Sequence, residues 1–445
     1  VTDYADLEIR ILGRQSGRYP VEVTLDVGKG PQELPSGLLA SGIVPWIPTA
    51  DPKADGERLF RSLFHHRDLA ADWARAREHR PCRIRLRIDA GAPELHAIPW
   101  ELLREPDLTG LERPVRSVSL PLAASSFTPF SRYLAADQPH GAPTAGRPVR
   151  MLVAIANPED LADYSLQAVE VEEEWRCLQQ AVAGLDAALT LLPQPWTLKE
   201  LEKEIKQGYH VLHFVGHGAY SERDGAVLYL ADTENRVRLV YERELVEMFA
   251  CVLSGGGGQD DALRLVFLAS CQTATRSPAD AFRGLAPQLV QAGVPAVLAM
   301  QDRVPVETAR QFAAAFYSQL LDHGQVDLAG NEARSALLSA RLPGAAIPVL
   351  FMRLRDGRLW TETTGPPPPP LPIPAPPPAP VLFGRDAFLR ELVRAIGDAP
   401  RLALWGMPGV GKTALALVLA NREEVARVFP AGRAWVPLGP EPDVF

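Results

Sequence analysis

Cysteine is scarce in this chain of 445 residues, with only Cys82, Cys177, Cys251 and Cys271, none in CxxC or paired spacing. That excludes a disulfide framework and a cysteine-rich zinc site, and it points to a reducing compartment, the cytoplasm. Basic charge is in deficit: 46 Lys and Arg stand against 54 Asp and Glu, for a formal net charge of −8. Nucleic acid is thereby excluded as a partner, because phosphate binding needs a basic surface. No apolar run approaches the roughly 20 residues of a membrane-spanning helix. The opening residues, VTDYADLE, carry acids where a secretory signal needs a basic and then an apolar stretch. No membrane anchor is expected, and internal repeats are absent.

Proline is plentiful, 42 residues in all, and it is concentrated in PPPPPLPIPAPPPAP at 366–380. Proline fixes φ and removes a backbone donor, so 365–380 is a semi-rigid linker and not a helix or a central strand. Its length and the chain length suggest two or three domains. A second cluster of turn formers at 137–148 marks a softer boundary. Residues 1–145 read as an α+β module, with strands over 9–12, 21–25 and 83–89 and a helical stretch over 56–78. From 146 to 364 strand and helix signals alternate: strands over 151–156, 189–192, 211–215, 265–269, 296–299 and 349–354, helices over 166–182, 197–207, 281–292 and 307–321. A hairpin and a helix are expected between the third and fourth of these strands. The fold class is α/β, a mainly parallel sheet with helices on both faces.

Two strings carry the chemistry, HVLHFVGHG at 210–218 and LVFLASCQTA at 265–274. Each is an apolar run that stops at a reactive residue, His217 in one and Cys271 in the other. In an open α/β sheet reactive groups gather beyond the carboxyl ends of parallel strands, so the two residues are expected to converge as a His–Cys pair. An imidazole beside a thiol lowers the thiol pKa and returns the proton to a leaving amine. Gly218 permits close approach of a backbone N–H, and the N–H of Cys271 supplies a second donor to an oxyanion. His213 and His217 share strand parity while His210 does not, so the three histidines form no ready metal site, and His213 reads as a core residue. No metal is expected.

Together these segments resemble the CHAT domain, a relative of caspases and separases. ELHAIPWELL at 94–103 resembles a segment that precedes such domains, and GLAPQLVQAGVPAVLA at 284–299 resembles the helix and strand that follow the nucleophile. The resemblance spans 1–360 loosely and implies a caspase-haemoglobinase-like sheet, a dyad of His217 and Cys271 with Gly218 at the oxyanion position, a protein substrate, and no cofactor for peptidase chemistry. Where the family continues with a tryptophan-containing stretch this chain has MQDRV at 300–304, a departure that bears on the substrate-pocket wall. Asp280 and Asp302 are candidate pocket acids for a basic substrate residue, with an apolar pocket as the alternative.

GMPGVGKT at 406–413 fits the phosphate-loop pattern, after an apolar strand expected at 401–405 and before an Ala/Leu-rich helix. Gly406, Gly409 and Gly411 free backbone N–H groups for phosphate, Lys412 reaches the terminal phosphates and Thr413 ligates magnesium. With FGRD at 383–386 the segment resembles the start of an NB-ARC domain of signal-transducing ATPases. That implies ATP or ADP with magnesium for the complete domain, self-association through the full NTPase, and a C-terminal sensor that is missing here. Only about thirty residues follow the loop, short of a whole domain, so 381–445 is expected to be a truncated P-loop NTPase. The combined expectation is a cysteine endopeptidase governed by a nucleotide switch, in bacterial defence or cell death. One alternative is a non-catalytic docking domain on a signalling ATPase, and another is a small-ester or small-amide hydrolase.

Overall fold

The structure, a computed structural model, describes residues 4–79, 81–106, 120–134, 148–221, 225–254, 262–270, 279–300, 304–360, 379–380, 382, 384–398, 403–405, 410–422 and 424–425. Val1–Glu362 form one compact unit and Thr363–Phe445 a second.

In the first unit the strands run β1 (Ala5–Ile11), β2 (Pro20–Asp26), β3 (Pro31–Leu38), β4 (Cys82–Ile88), β5 (Phe130–Tyr133), β6 (Val149–Ile155), β7 (Ala187–Leu191), β8 (Val211–Gly216), β9 (Gly218–Ser221), β10 (Gly225–Ala231), β11 (Val237–Tyr241), β12 (Leu265–Ser270), β13 (Ala296–Met300) and β14 (Pro348–Met352). Among the described residues eleven of them make one sheet in the order β3-β2-β1-β4-β5-β14-β13-β12-β8-β6-β7, and β11-β10-β9 make a smaller one. The large sheet is mainly parallel, with antiparallel pairings at β1/β2, β2/β3 and β13/β14. Strands before and after the turn-rich stretch at 137–148 share this sheet, since β5 pairs with both β4 and β14.

Pairing β13 against β14 divides the sheet into two blocks of opposite sense. β13, β12, β8, β6 and β7 run one way, while β14, β5, β4 and β1 run the other. β8 is buried at every position, as a near-continuous apolar run requires when both faces are covered. One face carries α4 (Leu198–Ile205), α5 (Glu242–Ser254) and α6 (Ala279–Gln291), the other α3 (Val171–Ala181), α7 (Val306–His323) and α8 (Val326–Ser339). α4 starts at a capping box, in which Thr197 and Glu200 satisfy each other's backbone N–H groups.

Three helices differ from the sequence reading. The stretch expected over 56–78 is two helices, α1 (Pro52–Leu63) and α2 (Arg67–Glu78). Breaking at 64–66 lets Phe60, Phe64 and Trp73 cluster with ring centroids 4.7–5.5 Å apart. α3 starts at Val171, later than expected, because Ser165 takes a left-handed conformation and Leu166 turns away to pack with Leu161, Tyr229 and Val237. α8 has no counterpart in the sequence reading. Seven of the eight residues from Val326 to Ala333 are buried, all but Glu332, so no amphipathic stripe advertises it.

The second unit contains α9 (Asp386–Asp398) and α10 (Lys412–Ala420). The strand expected over 401–405 is not formed at 403–405, and Trp405 is 93% exposed. A strand needs neighbours to pair with, and none is present there among the described residues. No described helix is long and apolar enough to cross a membrane.

Candidate active site

β8 and β12 lie side by side and parallel, in register from Val211 opposite Leu265 to Gly216 opposite Ser270. His217 follows β8 directly. Gly216 is the tight point before it: a Cβ there would sit 2.9 Å from the Phe214 ring and 3.0 Å from the Ala156 Cβ. The chain then turns into β9, whose first residue, Gly218, is buried and pairs with Leu228. The His217 carbonyl accepts from the Tyr229 N–H at 3.1 Å, so the backbone on both sides of the imidazole is fixed.

The His217 side chain is fully buried, and its Nε2 lies 2.7 Å from the Gln167 carbonyl oxygen. A carbonyl only accepts, so Nε2 carries the hydrogen and Nδ1 is the bare lone pair. Nδ1 is buried and has no hydrogen-bond partner among the described residues. Burial pushes the imidazole pKa below its ordinary 6.5, and the bond to the Gln167 carbonyl partly offsets that shift. The group is therefore a neutral, oriented proton acceptor.

Gln167 was not identified from the sequence. It acts through its main chain, so its side chain leaves no signal. Its loop is pinned from several sides: Asn157 Oδ1 accepts from the Val169 N–H at 2.8 Å, and Asp160 Oδ1 accepts from the Val237 N–H of β11 at 2.7 Å.

His213 lies in the core between sheet and helices. Its Nδ1 is 2.7 Å from Tyr317 Oη and its ring is 4.6 Å from that of Phe267. Full burial drives its pKa down to about 3. His210 Nδ1 accepts from the Arg150 N–H at 3.0 Å, which ties β6 to the start of β8. Among the described residues no cluster of three or more His, Cys, Asp or Glu is placed to hold a metal ion.

Cys271 and Asp302 lie outside the described residues, as do Gly406 and Gly409. Asp280 falls in the first turn of α6. Gly411 is left-handed, with φ of 93°, and immediately precedes α10, which opens with Lys412 and Thr413. Of the other cysteines, Cys82 is buried, Cys177 half-buried and Cys251 exposed.

No curated protein matches the chain. Among solved structures, the separase–securin complex of Saccharomyces cerevisiae is 14% identical with a TM-score of 0.33, the overlap covering 61% of this chain and 16% of that one. The complex of Porphyromonas gingivalis RgpB pro- and mature domains is 12% identical with a TM-score of 0.30, covering 49% of this chain and 51% of that one. The Arg-specific cysteine proteinase gingipain R is 11% identical with a TM-score of 0.31, covering 63% and 55%. This chain thus spans less than two thirds of each. The CHAT domain family matches residues 53–353, more than half of the sequence, and the chain belongs to that family.

Proposed function

We propose that this chain is a cysteine endopeptidase that cuts a protein substrate, with His217 as general base and Cys271 as nucleophile. The observation that carries the reading is the buried Nδ1, without a partner among the described residues, of an imidazole whose Nε2–H is held by the Gln167 carbonyl, just after a strand paired with the one that precedes Cys271 in the sequence. Gly216 and Ser270 are opposite each other in adjacent parallel strands. In the sequence each is followed directly by one of the two proposed catalytic residues, His217 and Cys271.

In the reaction Nδ1 takes the proton of the Cys271 thiol and the thiolate adds to the scissile carbonyl carbon. The oxyanion formed is met by the N–H groups of Gly218 and Cys271. As the C–N bond breaks, the imidazolium returns the proton to the leaving amine, and water, deprotonated by the same Nδ1, then hydrolyses the acyl-thioester. The Gln167 carbonyl keeps the ring in this tautomer throughout. Asp280 and Asp302 are the candidate acids for a basic substrate residue.

Residues 381–445 are read as the opening of an NB-ARC switch. The left-handed Gly411 and the N-terminus of α10 fit a phosphate, which Lys412 and Thr413 would hold together with magnesium. Bound ATP or ADP would bias self-association of the complete NTPase, and through it the peptidase, in a defence or cell-death response.

The test is cleavage profiling of the chain against a peptide library, with Cys271→Ala and Lys412→Ala variants in parallel. Loss of all cleavage in Cys271→Ala is expected. A thiol-reactive probe in a Cys251→Ser background, which removes the exposed thiol, should label Cys271 faster than Cys82 or Cys177, whose thiol pKa is raised by burial. Cleavage that survives Cys271→Ala, or slow labelling of Cys271, refutes the assignment.

A further inference from the structure

Apart from the His217 site, the first unit encloses a cavity of about 820 Å³. Its walls are the stretch before α1, the turns at 93–104 and the connection from α8 to β14. The lining is mostly apolar, with Trp46, Ile98, Leu102, Leu338, Leu342 and Ile347 among its residues. Its size lies within the range typical of small-molecule sites, roughly 300–1,000 Å³.

Its charged groups are satisfied unequally. Asp55 is bonded to Arg58 at 2.9 Å, and Glu94 accepts from the Tyr19 hydroxyl. Both oxygens of buried Glu101 are spent on Arg132, at 3.0 and 2.7 Å. Arg334 is equally buried and, among the described residues, has no bonded carboxylate. Its acceptors are the Ala123 carbonyl at 3.1 Å, Asn331 Oδ1 at 3.3 Å and the Pro348 carbonyl at 2.8 Å. A guanidinium offers five N–H donors, and the Nε–H of Arg334 is without a partner among the described residues. Burial, only partly offset by the nearby Glu101 charge, pulls the Arg334 pKa down to about 10, so it remains a cation at neutral pH. Glu101 is paired with Arg132, so the buried Arg334 cation is left without a directly bonded carboxylate among the described residues, a costly arrangement that an anion would relieve. The indole N–H of Trp46, which lines the same cavity, is a second buried donor without an acceptor among the described residues.

We propose that this cavity binds an apolar monocarboxylate, with its carboxylate against Arg334 and its hydrocarbon or aromatic body against Trp46, Ile98, Leu338 and Ile347. The inference does not depend on peptidase activity. Calorimetric titration of the whole chain with decanoate and naphthoate, each beside its neutral counterpart, decanol and naphthylmethanol, tests it. One acid should bind per chain at least about tenfold more tightly than its alcohol, the size expected of a charge-assisted hydrogen bond. Whether decanoate or naphthoate binds better tells an acyl from an aromatic ligand. Arg334→Met should erase the acid–alcohol difference while circular dichroism stays unchanged, and Leu338→Trp, which fills the cavity, should weaken both acid and alcohol. If Arg334→Met does not fold, the acid–alcohol contrast in the unaltered chain and the weakening of both ligands in Leu338→Trp decide. No saturable binding of either acid at millimolar concentration, equal affinity for acid and alcohol, or binding untouched by Leu338→Trp overturns the proposal.

Discussion

Acidification should destabilise the first unit through His213 in a window set by its burial. The folded chain holds this imidazole neutral, with a pKa of about 3 against 6.5 for the free side chain, whereas the unfolded chain takes up a proton at the ordinary value. Between those two values the unfolded state binds more protons, so stability is fully present above pH 6.5 and falls as pH drops toward 3. At pH 5 the gap from 6.5 is about 1.5 units, and at 1.36 kcal/mol per unit the loss is about 2 kcal/mol. Any folded value well below pH 5 gives nearly the same figure. His217, also depressed by burial, adds a loss of the same sign, so the His213 contribution must be isolated by difference. His213→Phe with Tyr317→Phe removes the imidazole and its 2.7 Å partner together, leaving no stranded polar group beside Phe267. Urea unfolding of both chains at pH 7.5 and pH 5, followed by tryptophan fluorescence, should show the pH-dependent loss reduced by about 2 kcal/mol in the double variant. Equal losses in the two chains would mean that His213 is protonated in the native fold, and the reasoning would fail.

Other outcomes follow from the same geometry. Asp327 is buried against Arg83 and ties the start of α8 to β4; Asp327→Ala strands that cation and should cost about 3–5 kcal/mol in denaturant unfolding. Gly357 has φ of +69°, and a Cβ there would lie 2.1 Å from Asp327 Oδ1, so Gly357→Ala should destabilise by more than about 1 kcal/mol. That penalty should shrink in the Asp327→Ala background, and a double-mutant cycle reporting strict additivity would contradict the contact. Because burial holds His217 below 6.5, the acidic limb of kcat/KM for the proposed peptidase activity should lie below pH 6.5; a limb above that value would remove His217 as the proposed base. Gln167→Ala keeps the carbonyl that orients the imidazole and should leave kcat/KM within about threefold, as an exposed substitution does.

What the sequence makes legible is what local periodicity encodes. β8 and β12 are near-continuous apolar runs because both faces are covered, with His213 inside β8 and Ser270 closing β12, and His217 and Cys271 stand just beyond their ends in the sequence. The joining of the two halves is not local. β5 is four residues long and carries a fully buried Arg132, which is tolerable only because Glu101 and the carbonyls of His96 and Ile98 surround it. No propensity rule places an arginine in a sheet core. α8 escapes notice for a related reason, since Asp327, Asn331 and Arg334 are core residues held by distant partners.

Opposition of the two strand blocks decides which strand ends share a margin with His217. Ligand-binding groups collect beyond the carboxyl ends of parallel strands, and in β8, β12 and β13 those ends share one margin. β14 reverses direction, and β5, β4 and β1 follow it. The carboxyl ends of β14, β5, β4 and β1 therefore open on the margin opposite to the one that carries His217. The contribution of the N-terminal segment is to extend the sheet and, through Asn331 and Arg334 bonded to the backbone at 122–128, to clamp α8 against it. α8 packs on α7, and α7 supplies the Tyr317 that holds His213 two strand pleats below His217. The margin that carries His217 thus rests on a core that the N-terminal strands help to close, and the family match, which begins at residue 53 in α1, spans both blocks of the sheet.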